Sequence, residues 1–215
     1  MIKAILWDND GVLVDTETFF FRATRETLAS VGVHVSKQQF IEFSLIKGYG
    51  FSDYMKAGGL DVSDCEPLRL KRNSLYSAYL RTAVPLIDGV REALEALHGN
   101  YTMGIVTSSQ REHFDIIHSS TGIIDYFDFV VTSDECENTK PHPEPYLKAL
   151  SLAGVTGTEC LAIEDSARGL QAANRSGIRC LMIPNELSSP ENYHGDYLLL
   201  KTVRDVAGTL QGMTP

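Results

Sequence analysis

The sequence predicts an α/β fold: a doubly wound, Rossmann-like parallel sheet with an α-helical unit inserted after its first strand. Three observations carry this expectation. Short apolar runs at 2–7, 103–106, 129–131, 161–163 and 180–183 lack polar alternation, as strands buried on both faces do. Helical patterns set off by cap residues and glycines separate the later runs. Residues 18–81 carry helical spacing with no comparable strand run.

Taken in order, residues 2–7 read as a buried strand, because the run meets Asp8 too early for a signal peptide. Helical spacing follows over 19–31, 37–43 and 67–80, and the α/β rhythm resumes at Pro85. The catalytic core is therefore expected over 1–15 and 83–215, and a helical cap over 16–82. Within the core, Asp88 is expected to cap a helix running through Leu97, with Gly99 just beyond it. Residues 111–119 suit a helix after a hydroxyl cluster. Pro143-Glu144-Pro145 opens another that ends near Gly154, and Ser166 leads into one that ends near Gly177. Strand and helix repeated in this way give a parallel sheet covered on both faces.

The 215 residues are 43% hydrophobic and 22% charged, enough for one full core and a small second unit. The formal charge is −9. An acidic surface repels nucleic acid and anionic lipid, so neither is expected as a partner, and a monomer or weak dimer is. No apolar run approaches the roughly 18 residues that span a bilayer. Cys65, Cys136, Cys160 and Cys180 show no CxxC pairing and suit reduced, buried thiols of a cytoplasmic protein.

Ligands of a parallel sheet bind beyond the carboxyl ends of its strands, so the polar residues after each run carry the functional reading. Asp8-Asn9-Asp10-Gly11 follows the first run. Close carboxylates raise one another's pKa unless a cation intervenes, and a hard, oxygen-preferring cation such as Mg²⁺ suits the pair. The same tetrapeptide also suits a solvated turn. Glu164-Asp165-Ser166 fits a second acidic pair or a helix cap. Thr107-Ser108-Ser109 fits a cap or a phosphate cradle. Lys140-Pro141-His142-Pro143 holds a lysine in a stiff, non-helical stretch, although a lone lysine is usually a solvated charge. Together they match phosphoryl transfer: cations for charge, one carboxylate to attack and another to move protons.

These segments resemble the haloacid dehalogenase superfamily, on its phosphatase and phosphomutase side. The resemblance rests on Asp8-Asn9-Asp10-Gly11-Val12-Leu13-Val14-Asp15-Thr16-Glu17, on Ile105-Val106-Thr107-Ser108-Ser109, on Lys140-Pro141-His142-Pro143-Glu144-Pro145-Tyr146, and on Ile163-Glu164-Asp165-Ser166 continuing through Gly169. It spans nearly the whole chain, helical cap included. It implies a hydrolase in which Asp8 attacks phosphorus and Asp10 protonates the leaving oxygen, then activates water. It further implies that Mg²⁺ is held by Asp8, the Asp10 carbonyl and Asp165, with Glu164 a direct or indirect partner. Thr107, the Ser108 N–H and Lys140 would hold the phosphoryl oxygens. Asn9 departs from the family's usual apolar residue and has no functional account in the sequence.

The expected activity is Mg²⁺-dependent hydrolysis of a small phosphorylated metabolite such as a sugar phosphate. A β-phosphoglucomutase-type phosphomutase is the alternative. In that branch a polar hinge residue and a cap arginine are expected where this chain places Phe20 and Phe51, and phenylalanine supplies no charge for a second phosphate. Lys47 and Gly48 are candidate substrate contacts in the cap. Metal-free dehalogenation is disfavoured by Asp10, and an inactive binding protein by the intact set of acids.

Overall fold

The computed structural model describes residues 1–82 and 84–213. Six parallel strands form one sheet in the order β3-β2-β1-β4-β5-β6. They are β1 (Ala4–Trp7), β2 (Thr102–Val106), β3 (Phe129–Val131), β4 (Cys160–Glu164), β5 (Arg179–Met182) and β6 (Tyr197–Leu199). The chain winds outward from β1 through β2 to β3, then returns to the other side of β1 for β4. β1 pairs with β2 through Trp7↔Ile105 and with β4 through Trp7↔Ile163, so Asp8, Thr107 and Glu164 leave neighbouring strands at one edge. That edge is the topological switch point, where α/β sheets bind ligands.

Alternation along β1 builds two cores. Ile5 and Trp7 pack with Met103, Ile105, Leu161 and Ile163 on one face, while Ala4 and Leu6 join Val106, Val131, Ala162 and Met182 on the other. The first face is covered by α5 (Val90–Leu97), α6 (Arg111–His118) and α9 (Asp205–Met213), the second by α7 (Glu144–Ala153) and α8 (Ala167–Arg175). Each fully buried aliphatic or aromatic side chain contributes about 1.5–3 kcal/mol.

Between β1 and β2 lie α1 (Glu17–Ala29), α2 (Lys37–Phe40), a π-helical turn at Ile41–Ile46, α3 (Phe51–Ala57) and α4 (Cys65–Leu80). They have their own apolar centre at Leu28, Val35, Phe40, Phe51, Tyr54 and Met55. A smaller cluster, in which Ala23, Tyr76 and Leu80 meet Val14 and Ile117, ties this insert to the sheet unit. The expected division at 82/83 and the end of the core at Pro215 involve residues outside those described.

Several expectations change. Asp88 does not cap α5: Gly89 occupies that position at φ 89°, and Asp88 pairs with Arg204 at 2.7 Å. The helix expected over 37–43 becomes α2 and the π-helical turn. α3 was not anticipated between the glycines at 48, 50, 58 and 59. It is held by the Gly50 N–H donating to Asp53 Oδ2 at 2.9 Å and by burial of Phe51, Tyr54 and Met55. β6 is a three-residue edge strand with exposed Leu198 and Leu199, too short to register as a run. Cys160 and Cys180 are buried as expected, whereas Cys65 and Cys136 are half-buried, and all four are free thiols. Among the described residues, no helix is long and apolar enough to cross a membrane.

Candidate active site

Asp8 follows β1 directly, and its N–H donates to the Ile163 carbonyl at 2.9 Å, which fixes it to β4. The chain then reverses tightly. The Asn9 carbonyl accepts from the Leu13 and Val14 N–H groups at 2.8 and 3.1 Å. Gly11 takes φ 84°, and a Cβ there would sit 2.3 Å from Asp165 Oδ2, so only glycine lets this turn approach the second acidic pair. Asn9 also acquires a role. Its Oδ1 lies 2.7 Å from His118 Nε2, and His118 Nδ1 lies 2.9 Å from the Thr121 hydroxyl. A carbonyl oxygen only accepts, so Nε2 carries the proton and Nδ1 accepts from Thr121. Asn9 thus pins the Asp8–Asp10 turn to α6.

Lys140 is buried at 4% exposure. Its ammonium donates to Asp8 Oδ1 at 2.8 Å, the Val106 carbonyl at 2.7 Å and Glu164 Oε1 at 2.6 Å. Burial opposes its charge, but Asp8 and Glu164 outweigh burial and hold it above the ordinary lysine range. Tyr146, from α7, donates its hydroxyl to the same Glu164 Oε1 at 2.7 Å. Gly169 opens the space for Glu164, since a Cβ there would lie 1.9 Å from Glu164 Oε2. Ser166 caps α8 as expected, accepting from the Gly169 N–H at 3.0 Å.

Asp10 points elsewhere. Its carboxylate accepts from Thr16 at 2.5 Å, Thr107 at 3.1 Å and Ser109 at 2.8 Å. Thr107 is thus engaged with Asp10, whereas Ser108 is exposed at the pocket wall and its N–H has no partner among the described residues.

Asp8, Glu164 and Asp165 bring carboxylate oxygens within 4.8 Å of one another. The Asp10 side chain is not in that group. Burial, then the charge of Glu164, pushes Asp8 up to about 7, with Lys140 pulling the other way. Asp165 lies well above the carboxylate range, through burial and then the charges of Glu17, Asp8 and Glu164. Asp8 Oδ2 and Asp165 Oδ1 accept no hydrogen bond from any described residue. Clustered, buried carboxylates with idle oxygens suit a small divalent cation with oxygen preference, so the residues fit Mg²⁺.

Asp8, Asp10, Lys140 and Asp165 line a cavity of about 510 Å³ between the sheet edge and the helical insert, with Glu164 buried behind them. Gly48 lines it. Lys47 does not: its ammonium bonds Glu42 at 2.6 Å on the surface. Glu17, Arg168 and Arg72 are among the lining residues given no role from sequence. Glu17 is pushed up to about 8 by burial and then by Asp10 and Asp8, with Asn185 pulling the other way. Arg168 donates to the Lys140 carbonyl. Arg72, on α4, has its guanidinium 4.5 Å from the Phe20 ring and 5.8 Å from the Phe51 ring. The two phenylalanines that suggested an uncharged cap therefore flank an arginine supplied by another helix. Tyr146 was visible in sequence but carried no signal of its contact with Glu164.

The chain is similar to known proteins of one family. The family model for haloacid dehalogenase-like hydrolases matches residues 5–183. Pyrophosphatase PpaX of Bacillus velezensis is 28% identical over 208 residues, covering 93% of this chain and 93% of its own. Fructose-1-phosphate phosphatase YqaB of Escherichia coli is 28% identical over 179 residues, covering 81% of this chain and 92% of its own. The solved β-phosphoglucomutase of Clostridium difficile shares the fold, with a TM-score of 0.83 at 21% identity over 99% of this chain and 96% of its own. A match over most of the chain, together with a sheet whose switch point gathers Asp8, Lys140, Glu164 and Asp165, makes this an enzyme that belongs to the haloacid dehalogenase-like hydrolase family.

Proposed function

We propose that the enzyme is a Mg²⁺-dependent phosphatase that hydrolyses small phosphate monoesters through an aspartyl phosphate on Asp8. The observation that carries this reading is Asp8 itself: it lines the pocket with Asp10, one carboxylate oxygen is held by Lys140 at 2.8 Å, and the other is idle among the described residues. An Asp8 oxygen attacks phosphorus, and the phosphorus–ester oxygen bond breaks. Asp10 gives its proton to the departing oxygen, then takes one from the water that attacks the phosphorylated Asp8. Inorganic phosphate leaves and the Asp8 carboxylate is restored. Thr16, Thr107 and Ser109 orient Asp10 for both transfers. Lys140 and the Ser108 N–H hold phosphoryl oxygens.

Asp8, Asp165 and the Asp10 carbonyl would hold the cation, which neutralises charge on the phosphoryl group. Glu164 spends one oxygen on both Lys140 and Tyr146, so it acts chiefly by fixing Lys140. Residues 16–82 serve as the cap over the pocket, and closure would exclude bulk water. The test is phosphate release from p-nitrophenyl phosphate with Mg²⁺ and with chelator. Release that is unaffected by chelator contradicts the metal assignment.

A phosphomutase is the second reading, and Arg72 is the observation that favours it, because it supplies cap charge that Phe20 and Phe51 lack. Incubation with β-glucose 1-phosphate and catalytic glucose bisphosphate separates the two. Isomerisation without phosphate release selects the mutase.

A further inference from the structure

We propose that Arg72 is a specificity-determining residue that grips a second anionic group on the substrate, so that preferred substrates are small phosphate monoesters carrying a further phosphate or carboxylate. This rests on the phosphatase reading and names its substrate class.

Arg72 projects from α4 into the pocket that Asp8 and Asp10 also line. It is half-buried, and among the described residues its side chain donates one hydrogen bond, from Nε to Asn73 Oδ1 at 2.9 Å. Neither terminal nitrogen has a carboxylate or carbonyl partner among the described residues. Five other arginines of the described residues meet carboxylates. Arg69, one turn earlier and also lining the pocket, forks onto Glu66 at 2.6 and 2.8 Å. Arg22, Arg179 and Arg204 each meet a carboxylate while more exposed, and Arg111 meets Glu135. A guanidinium taken out of water without an anion is costly.

The rings of Phe20 and Phe51 compensate in part, since aromatic faces attract a cation. Held beside the two rings, Arg72 lines the cavity. Burial, then the charge of Arg69, lowers Arg72 to about 10, so it stays charged at neutral pH. The same cavity is lined by Asp8, Asp10, Glu17 and Asp165, which repel any anion not neutralised by the cation and Lys140. A second anionic group therefore finds its counter-charge at Arg72. A planar fork matches the two oxygens of a carboxylate or phosphate.

The experiment uses matched esters that differ only in the tail: phosphoglycolate against ethylene glycol monophosphate, and propanediol bisphosphate against propanediol monophosphate. The readout is the ratio of kcat/KM within each pair, which a general loss of folding or chemistry does not move. The wild-type enzyme is expected to favour the doubly anionic member of at least one pair by about 10- to 100-fold, the worth of a charge-assisted, forked contact. The pair with the larger ratio identifies carboxylate or phosphate as the group bound. Arg72→Met should bring that ratio close to one, and Arg72→Lys should restore part of it, since a point charge survives but the fork does not. A wild-type ratio near one in both pairs overturns the inference while leaving the phosphatase reading intact. An unchanged ratio in Arg72→Met overturns it as well. Failure to hydrolyse any ester in Mg²⁺ removes the phosphatase reading and this inference together.

Discussion

Replacing Lys140 by methionine removes the buried ammonium that three acceptors share. Methionine keeps most of the aliphatic volume, so the cavity left behind is small. The electrostatic loss is large. Asp8 Oδ1, Glu164 Oε1 and the Val106 carbonyl all lose a donor between 2.6 and 2.8 Å away, and two buried carboxylates face each other without compensation. Breaking a buried pair in this way costs about 3–5 kcal/mol. For a domain of this size each kcal/mol moves Tm by about 2–4 °C, so the expected loss is about 6–20 °C. The loss should be greatest in chelator and smaller in Mg²⁺, because a bound cation supplies part of the missing charge. It should also shrink on acidification. Asp8 already sits at about 7 against an ordinary 3.8, and loss of Lys140 raises it further. A carboxyl whose folded pKa is raised binds its proton more tightly when folded, so stability returns as pH falls through that value. Turnover should fall by about 10²–10³ through lost charge stabilisation of the transferring group. Thermal melts with and without Mg²⁺, at pH 8 and pH 6, together with steady-state phosphate release, test this. A variant that melts within about 2 °C of wild type in chelator and turns over within tenfold would refute the reasoning.

Chelation should abolish phosphate release and Mg²⁺ restore it, with Ca²⁺ a poor substitute because its looser shell misplaces the phosphoryl group; full activity in metal-free buffer contradicts this. Gly169→Ala should drive a methyl group into Glu164, costing about 1–3 kcal/mol of stability and lowering kcat through Lys140. Denaturant midpoints and kcat measure both, and a neutral outcome shows that Glu164 is free to move. His118, lowered to about 4 mainly by burial, should weaken the fold on acidification. Between an unfolded value of about 6.5 and the folded value only the unfolded chain takes the proton, so stability falls by up to about 3 kcal/mol over that window. His118→Gln should flatten this part of the pH–stability curve, and an unchanged acid limb shows that His118 does not govern it.

Much of the scaffold is legible because buried parallel strands announce themselves as unbroken apolar runs. Ala4–Trp7 and Cys160–Glu164 place their trailing acids at one edge without any further information. Legibility fails where tertiary contacts decide. α3 lies among glycines that read as loop, and β6 exists only because Met182 and its neighbours offer an edge to pair with. In the site, residues adjacent to strand ends were visible, but those that act from another element were not. Tyr146 reaches Glu164 from a helix face of otherwise ordinary pattern, and Glu17 looks like a first-turn acid until the fold turns it toward Asp8. Arg72 shows the deeper limit. A local reading of Phe20 and Phe51 found no charge, because the charge arrives from a helix some twenty residues further along the chain than Phe51. Asn9, odd beside its neighbours in sequence, makes sense once α6 brings His118 to it.

The central claim is covalent: phosphorus passes through Asp8. The direct measurement is rapid acid quench during turnover of a radiolabelled phosphate ester in Mg²⁺, followed by peptide mapping. The account predicts an acid-stable, hydroxylamine-labile label on the peptide containing Asp8. That label decays to inorganic phosphate at a rate compatible with kcat, and is absent from a folded Asp8→Asn variant that no longer turns over. Turnover with no label on that peptide, or near-normal phosphate release by Asp8→Asn, would contradict it.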